Sequence, residues 1–123
     1  LFAGGRSFGA RMTSQAQAQS PLDGVKGLVF FAFPLHPAGK PAVDRADHLK
    51  DVAVPMLFLQ GTADTLADLT LLRPVVEGLG DRAALVLAEH ADHSFHVPAR
   101  FGRKDPEVFA ELLDRAAAWM TRG

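Results

Sequence analysis

The sequence predicts an α/β layered fold built on a parallel sheet, and three observations lead there. Short apolar runs alternate along the chain with helix-like segments, the pattern of strand–helix–strand units. One run, "VKGLVFFAF" at residues 25–33, is apolar almost without interruption, as a parallel strand covered on both faces must be. The last segment places Phe109, Leu112, Leu113, Ala116, Ala117 and Met120 at spacings of three and four, which gives a helix one apolar face to lay on that sheet.

The elements follow in order. Leu1, Phe2 and Ala3 read as the end of a strand, cut off by the glycines behind them. Residues 8–19, "FGARMTSQAQAQ", are rich in Ala and Gln with no internal proline, and Ser20-Pro21 stops the predicted helix. After the strand at 25–33, "PLHPAGKPAVDRADHLKD" carries three prolines in its first eight residues and reads as loop. Residues 55–60, "PMLFLQ", form a third strand with proline at its edge. A helix is expected between Leu66 and Leu79, and Pro74 constrains it: either it begins near Leu71, with the proline in its first turn, or it bends there. "AALVLAE" at 83–89 is a fourth strand, followed by the loop "HADHSFHVPARFGRK". Asp105 is then the expected N-cap of the final helix, Pro106 its first residue, and Glu107 a favourable charge at its positive end.

Composition narrows the function classes. A chain of 123 residues, 48% apolar and 22% charged, is one globular domain at most. Its 13 Lys and Arg against 14 Asp and Glu leave no electrostatic footprint for nucleic acid or an anionic membrane. Without cysteine there is no disulfide framework, no zinc–thiolate site and no thiol nucleophile, which agrees with a cytoplasmic protein. The longest apolar run, Leu28 to Leu35, is too short to span a bilayer.

Chemistry enters with "GGRSFG" at residues 4–9. A dinucleotide fingerprint would need glycine where Arg6 stands, and a phosphate loop would need a lysine that is absent. What matches is Gly-x-Ser-x-Gly between a strand and a helix. In that turn the residues two before and two after the serine crowd one another, so Gly5 and Gly9 are both expected to be small of necessity. A serine hydroxyl needs a base and an orienting carboxylate. Asp64 falls four residues after the third strand and His93 four residues after the fourth, at the same sheet edge as Ser7 and in the order Ser, Asp, His.

On these residues the chain resembles the α/β-hydrolases. "GGRSFG", "LFLQGTAD" and "ADHSF" are similar to their nucleophile elbow, acid turn and histidine loop. The resemblance is closest to the small cap-free branch of dienelactone-hydrolase-like and testis-expressed α/β-hydrolase-like proteins. It implies a three-layer α/β-hydrolase fold with Ser7 as nucleophile, His93 as general base and acid, and Asp64 orienting the imidazole. The backbone amide of Phe8 would be one oxyanion donor. Dienelactone hydrolases proper use cysteine, which this chain lacks, so their substrate does not carry over. In that fold the elbow follows the fifth strand. The resemblance therefore implies that residues 1–123 are the C-terminal half of one domain, about four strands with flanking helices. Strands one to four and the loop giving the second oxyanion donor would precede Leu1. Such a piece would be inactive alone and would present an open strand edge suited to association with another chain.

Other residues carry competing readings. His90, His93 and His96 recur every third position, but on an irregular loop they need not converge, and no metal or organic cofactor is expected. Asp68 competes with Asp64 but is better placed to cap the helix after it, and Asp92 reads as structural. His36, in the proline-rich loop on the functional edge, is a candidate substrate contact, with bonding of its own backbone as the rival role. Arg6 and Phe8 flank the nucleophile as candidate pocket residues, and Phe8 fits equally well buried under the helix. The expected activity is a serine hydrolase acting on a small ester, thioester or amide. Its rival is a catalytically silent scaffold that binds a protein partner.

Overall fold

A computed structural model, describing residues 1–122, contains one sheet of four parallel strands in the order β1-β2-β3-β4. The chain runs β1 (Phe2–Arg6), α1 (Phe8–Gln19), β2 (Gly27–Phe31), a 3₁₀ segment (Asp44–Asp51), β3 (Met56–Gly61), α2 (Leu69–Gly78), β4 (Ala83–Ala88) and α3 (Asp105–Thr121). Register pairs Arg6 with Phe31 and Gly61 with Ala88, so the carboxyl ends of all four strands share one edge. Everything chemically distinctive lies just beyond that edge.

Alternation of side chains makes three layers. Phe30, Met56 and Phe58 face one way, onto Ala10 of α1, Leu49 of the 3₁₀ segment, and Leu72 and Val76 of α2. Val29, Leu57 and Leu59 face the other way, onto Val108, Leu112 and Ala116 of α3 and onto Phe95 and Val97. Strand β3, flanked by neighbours on both sides, is buried at all six residues. Around it Phe30, Phe33 and Phe58 pack edge-on with centroids 4.9 to 5.7 Å apart. Each such pair adds about 0.5–1.5 kcal/mol beyond area burial.

Several elements differ from expectation for local reasons. Strand β1 continues through both glycines to Arg6, and Gly4 is needed there because a Cβ would strike the Val29 carbonyl of β2. Strand β2 is shorter than its apolar run, since Ala32 turns out of it at φ 58°. The expected loop contains the 3₁₀ segment, whose three-residue period puts Ala46, Leu49 and Val52 on one buried face. Helix α2 begins at Leu69, capped by Asp68, whose carboxylate accepts the Thr70 N–H at 2.9 Å. Pro74 therefore lies in the interior as its sixth residue, where it cannot donate to the Thr70 carbonyl.

Helix α3 begins one residue earlier than expected. Lys104 is the N-cap, Asp105 the first helical residue and Pro106 the second. Its buried stripe is Val108, Leu112 and Ala116; of the expected face, Phe109 and Met120 are half-buried while Leu113 and Ala117 are exposed. Leu113 instead lines an apolar groove of about 450 Å³ beside β1, shared with Phe2, Phe31, Phe109 and Met120. Among the described residues β1 pairs only with β2, so its outer edge is open. No helix among them is long and apolar enough to cross a membrane.

Candidate active site

Ser7 sits between β1 and α1 at φ 53°, ψ −119°, a region that costs a non-glycine residue on the order of 1–3 kcal/mol. Its N–H donates to the Phe31 carbonyl at 2.8 Å, which ties the strained turn to the end of β2. The tightness of the turn excludes any side chain at Gly5: a Cβ there would collide with the backbone of Gly9 and come within 2.7 Å of the Ala10 nitrogen. The crowding is one-sided. A Cβ on Gly9 meets nothing within 4 Å, so the expectation that both glycines are sterically required is corrected to Gly5 alone.

The histidine loop reaches Ser7 through a second close approach. At Gly61 a Cβ would strike the Ala91 carbonyl and lie 2.7 Å from that of Asp92, so only glycine lets the loop cross the end of β3. Asp92 shapes the loop from within, its Oδ1 accepting the N–H groups of Ser94 at 2.8 Å and His96 at 2.9 Å. The result brings three distant side chains together. His93 Nε2 lies 2.7 Å from Ser7 Oγ, and His93 Nδ1 lies 2.7 Å from Asp64 Oδ2. The Asp64 side chain is fully buried and that of His93 is 23% exposed. The other carboxylate oxygen of Asp64 accepts the Leu66 N–H at 2.8 Å, which stops the group from rotating. Because the carboxylate accepts, Nδ1 carries the ring proton and Nε2 presents a lone pair to the serine hydroxyl.

The neighbouring candidates take varied positions. Phe8 is the first residue of α1, where an N–H has no partner within the helix, and its side chain is 64% exposed rather than buried under that helix. Arg6 is exposed; its guanidinium donates to the Ser94 carbonyl at 3.2 Å and lies 5.9 Å from the ring centroids of Phe95 and Phe109. It thus bridges the elbow and the histidine loop. His36 is 2% exposed, with Nδ1 donating to the Pro37 carbonyl and Nε2 accepting the Asp68 N–H, each at 2.9 Å. Both ring nitrogens are thus used by main-chain groups, the backbone-bonding role weighed against a substrate contact for His36.

The three histidines of the loop diverge. His90 stacks on Phe101 at 3.6 Å, and His96 Nδ1 pairs with Asp105 Oδ2 at 2.7 Å. That hydrogen bond raises the His96 pKa; the Asp105 pKa is lowered, first by the Val97 N–H and then by His96. Asp105, read from the sequence as an N-cap, so ties α3 back to the histidine loop. The Asp68 pKa is lowered by the Thr70 hydroxyl and N–H that it caps. Among the described residues no group of three or more His, Asp or Glu side chains could hold a metal ion.

No sequence pattern marked one further contact. His48 of the 3₁₀ segment places Nε2 2.6 Å from Oγ of Ser14, a fully buried residue of α1. The two lie 34 residues apart with no motif around either.

With the geometry in place, comparison with known proteins adds the family. A family model described as "Alpha/beta hydrolase domain" matches residues 1–121. A lidless α/β serine hydrolase from Xanthomonas campestris is similar at 27% identity and a TM-score of 0.63, over 94% of this chain and 46% of that one. A protein from Klebsiella pneumoniae assigned to the dienelactone hydrolases matches at 20% identity and 0.65, over 98% and 51%. A thermophilic esterase from Thermogutta terrifontis matches at 22% and 0.64, over 98% and 54%. At those two identities the likeness is one of fold. The chain spans about half the length of each of these structures.

Proposed function

The chain belongs to the α/β-hydrolase domain family, and on that premise we propose that it carries the catalytic residues of a serine hydrolase cleaving a small ester, thioester or amide. The observation behind the proposal is the continuous path from Ser7 Oγ through the His93 ring to Asp64, with both links at 2.7 Å. His93 Nε2 takes the hydroxyl proton as Ser7 Oγ bonds to the acyl carbon, and the carbonyl π electrons move onto oxygen. The Phe8 N–H, at the first residue of α1, is the donor assigned to that oxyanion, supported by the positive end of the helix. Collapse of the tetrahedral species breaks the bond to the leaving group, which receives the proton from Nε2. Water then repeats the cycle on the acyl-serine: His93 removes its proton and returns it to Ser7 Oγ, releasing the acid.

Asp64 keeps the proton on Nδ1 and stabilises the imidazolium that forms at each step. The loop between β2 and β3 is too short for a large helical cap, which favours an open site and modest chain-length selectivity. The second oxyanion donor is assigned to a segment outside these 123 residues, and the open edge of β1 to pairing with that segment or with another chain. The 123 residues alone are then expected to turn over little or no substrate. Lack of cysteine agrees with action in the cytoplasm.

Fluorophosphonate labelling of the native protein tests the reading. Labelling that disappears in Ser7→Ala supports the enzyme. A folded native protein that never labels supports instead the silent scaffold, with the edge of β1 and its apolar groove as the contact surface.

A further inference from the structure

His36 is a buried polar residue that none of the steps above uses. It stands on the loop after β2, and Asp64 stands on the turn after β3. The main-chain bonds that close the turn are long: the Asp64 N–H reaches the Gly61 carbonyl at 3.3 Å and the Ala67 N–H reaches the Asp64 carbonyl at 3.4 Å, beyond the usual range for such bonds. Shorter bonds come from the neighbouring loop. The His36 N–H donates to the Leu66 carbonyl at 3.0 Å, and its ring Nε2 accepts the Asp68 N–H at 2.9 Å. One residue thus grips the turn at two points. Leu66 in turn passes its own N–H to Asp64 Oδ1 at 2.8 Å.

The ring itself is not free to move. A main-chain N–H only donates and a carbonyl only accepts, so Nε2 is bare and Nδ1 carries the proton that goes to the Pro37 carbonyl. Pro34 and Pro37 on either side stiffen the loop from which the ring projects. The geometry points to His36 as a positioning residue for the acid: it fixes the turn 64–68 so that Asp64 Oδ2 stays on His93 Nδ1. This inference rests on the serine-hydrolase reading for its effect on activity, though not for its effect on structure.

The test compares the native protein with His36→Phe, which removes both polar atoms, and His36→Asn, whose short amide cannot reach both the Pro37 carbonyl and the Asp68 N–H. Melting curves select the variants that remain folded, and His36→Asn carries both measurements if the phenylalanine variant does not. One measurement is the low-field proton resonance of His93 Nδ1, which reports its bond to Asp64 whether or not the protein turns over substrate. The other is the rate of fluorophosphonate labelling, alone and in an Asp64→Asn background. We expect the resonance to be lost or moved and labelling to fall about 10- to 100-fold, the scale of a misplacement near 1 Å. The fall should vanish once Asp64 is already replaced, because His36 acts through that carboxylate. A folded variant with an unchanged His93 resonance, or an equal fall in the Asp64→Asn background, overturns the proposal. If the unsubstituted protein does not label at all, the serine-hydrolase reading fails, and the resonance alone decides the role of His36.

Discussion

Two serine–histidine contacts lie close in sequence, one at the turn before α1 and one within that helix, and their lengths are nearly the same. Ser7 meets His93 at 2.7 Å and Ser14 meets His48 at 2.6 Å. What differs is the direction of the proton. Behind His93 stands the Asp64 carboxylate, which accepts a hydrogen bond from the Nδ1 N–H and leaves Nε2 to accept from Ser7. Ser14 Oγ also lies 2.9 Å from the Arg11 carbonyl, which can only accept. The one hydroxyl proton goes there, and His48 must donate to Ser14 rather than receive from it. The His48 pKa is lowered, first by burial and then by the Arg11 charge, which favours a ring that stays uncharged. Ser14 is fully buried, whereas Ser7 stands at a strained turn and is only half-buried. On that difference rests the proposal of Ser7, rather than Ser14, as the nucleophile.

The sharpest way to break this contrast is to remove the two histidines in turn. His93→Ala is expected to lower kcat/KM for an activated ester by about 10⁴- to 10⁶-fold, while His48→Ala in a protein that remains folded should change it by less than about threefold. Equal losses in steady-state assays would dissolve the distinction. Next in size is the acid: Asp64→Asn keeps the shape but lets the ring adopt the wrong tautomer, with an expected loss of about 10⁴-fold in kcat.

A steric test follows. Gly5→Ala should cost far more stability in urea unfolding than Gly9→Ala, since only the first new methyl meets backbone. Comparable unfolding midpoints would show that the elbow is not tight where Gly5 stands. Smaller again, Ser14→Ala removes the hydrogen-bond partner of the half-buried His48 ring and should destabilise by about 0.5–1.5 kcal/mol without touching labelling at Ser7.

The smallest effect concerns the exposed pair of His96 and Asp105. The raised His96 pKa means its contribution is complete below the ordinary imidazole value of 6.5 and is lost as pH rises through the folded value. The lowered Asp105 pKa means its contribution is complete above the ordinary carboxylate value of 3.8 and is lost as pH falls through the folded value. The Tm difference between the protein and His96→Ala should be largest between those two values, fade above the upper one, and shrink with added salt. A difference independent of pH would remove the pairing from the account.

What the amino-acid order disclosed and what it hid divide along the same line. Ser7, Asp64 and His93 were readable because strand ends in a parallel sheet share one edge, and counting from each strand end needs no side-chain detail. The boundaries of α1 were readable because Ser20-Pro21 stops an Ala- and Gln-rich run. The Ser14–His48 contact was not, since it joins a helix to a segment read as loop, and its 3₁₀ period is visible only once Ala46 and Leu49 are seen to be buried. His36 was noticed, but its role depends on where two main-chain groups point, which no spacing encodes. The same holds for Gly9, which satisfies the motif without being sterically required. The exposure of Leu113 beside β1 was equally hidden in the amphipathic pattern of α3, which counts apolar faces but not the neighbours that cover them.

The central claim is that Ser7, and not the other histidine-bonded serine, is the activated one. Its most direct test is peptide mapping of the native protein after brief exposure to a fluorophosphonate. The account predicts the adduct on Ser7 alone, formed far more slowly in His93→Ala and at an unchanged rate in a folded His48→Ala. An adduct on Ser14, or labelling of Ser7 that is indifferent to His93→Ala, would contradict it.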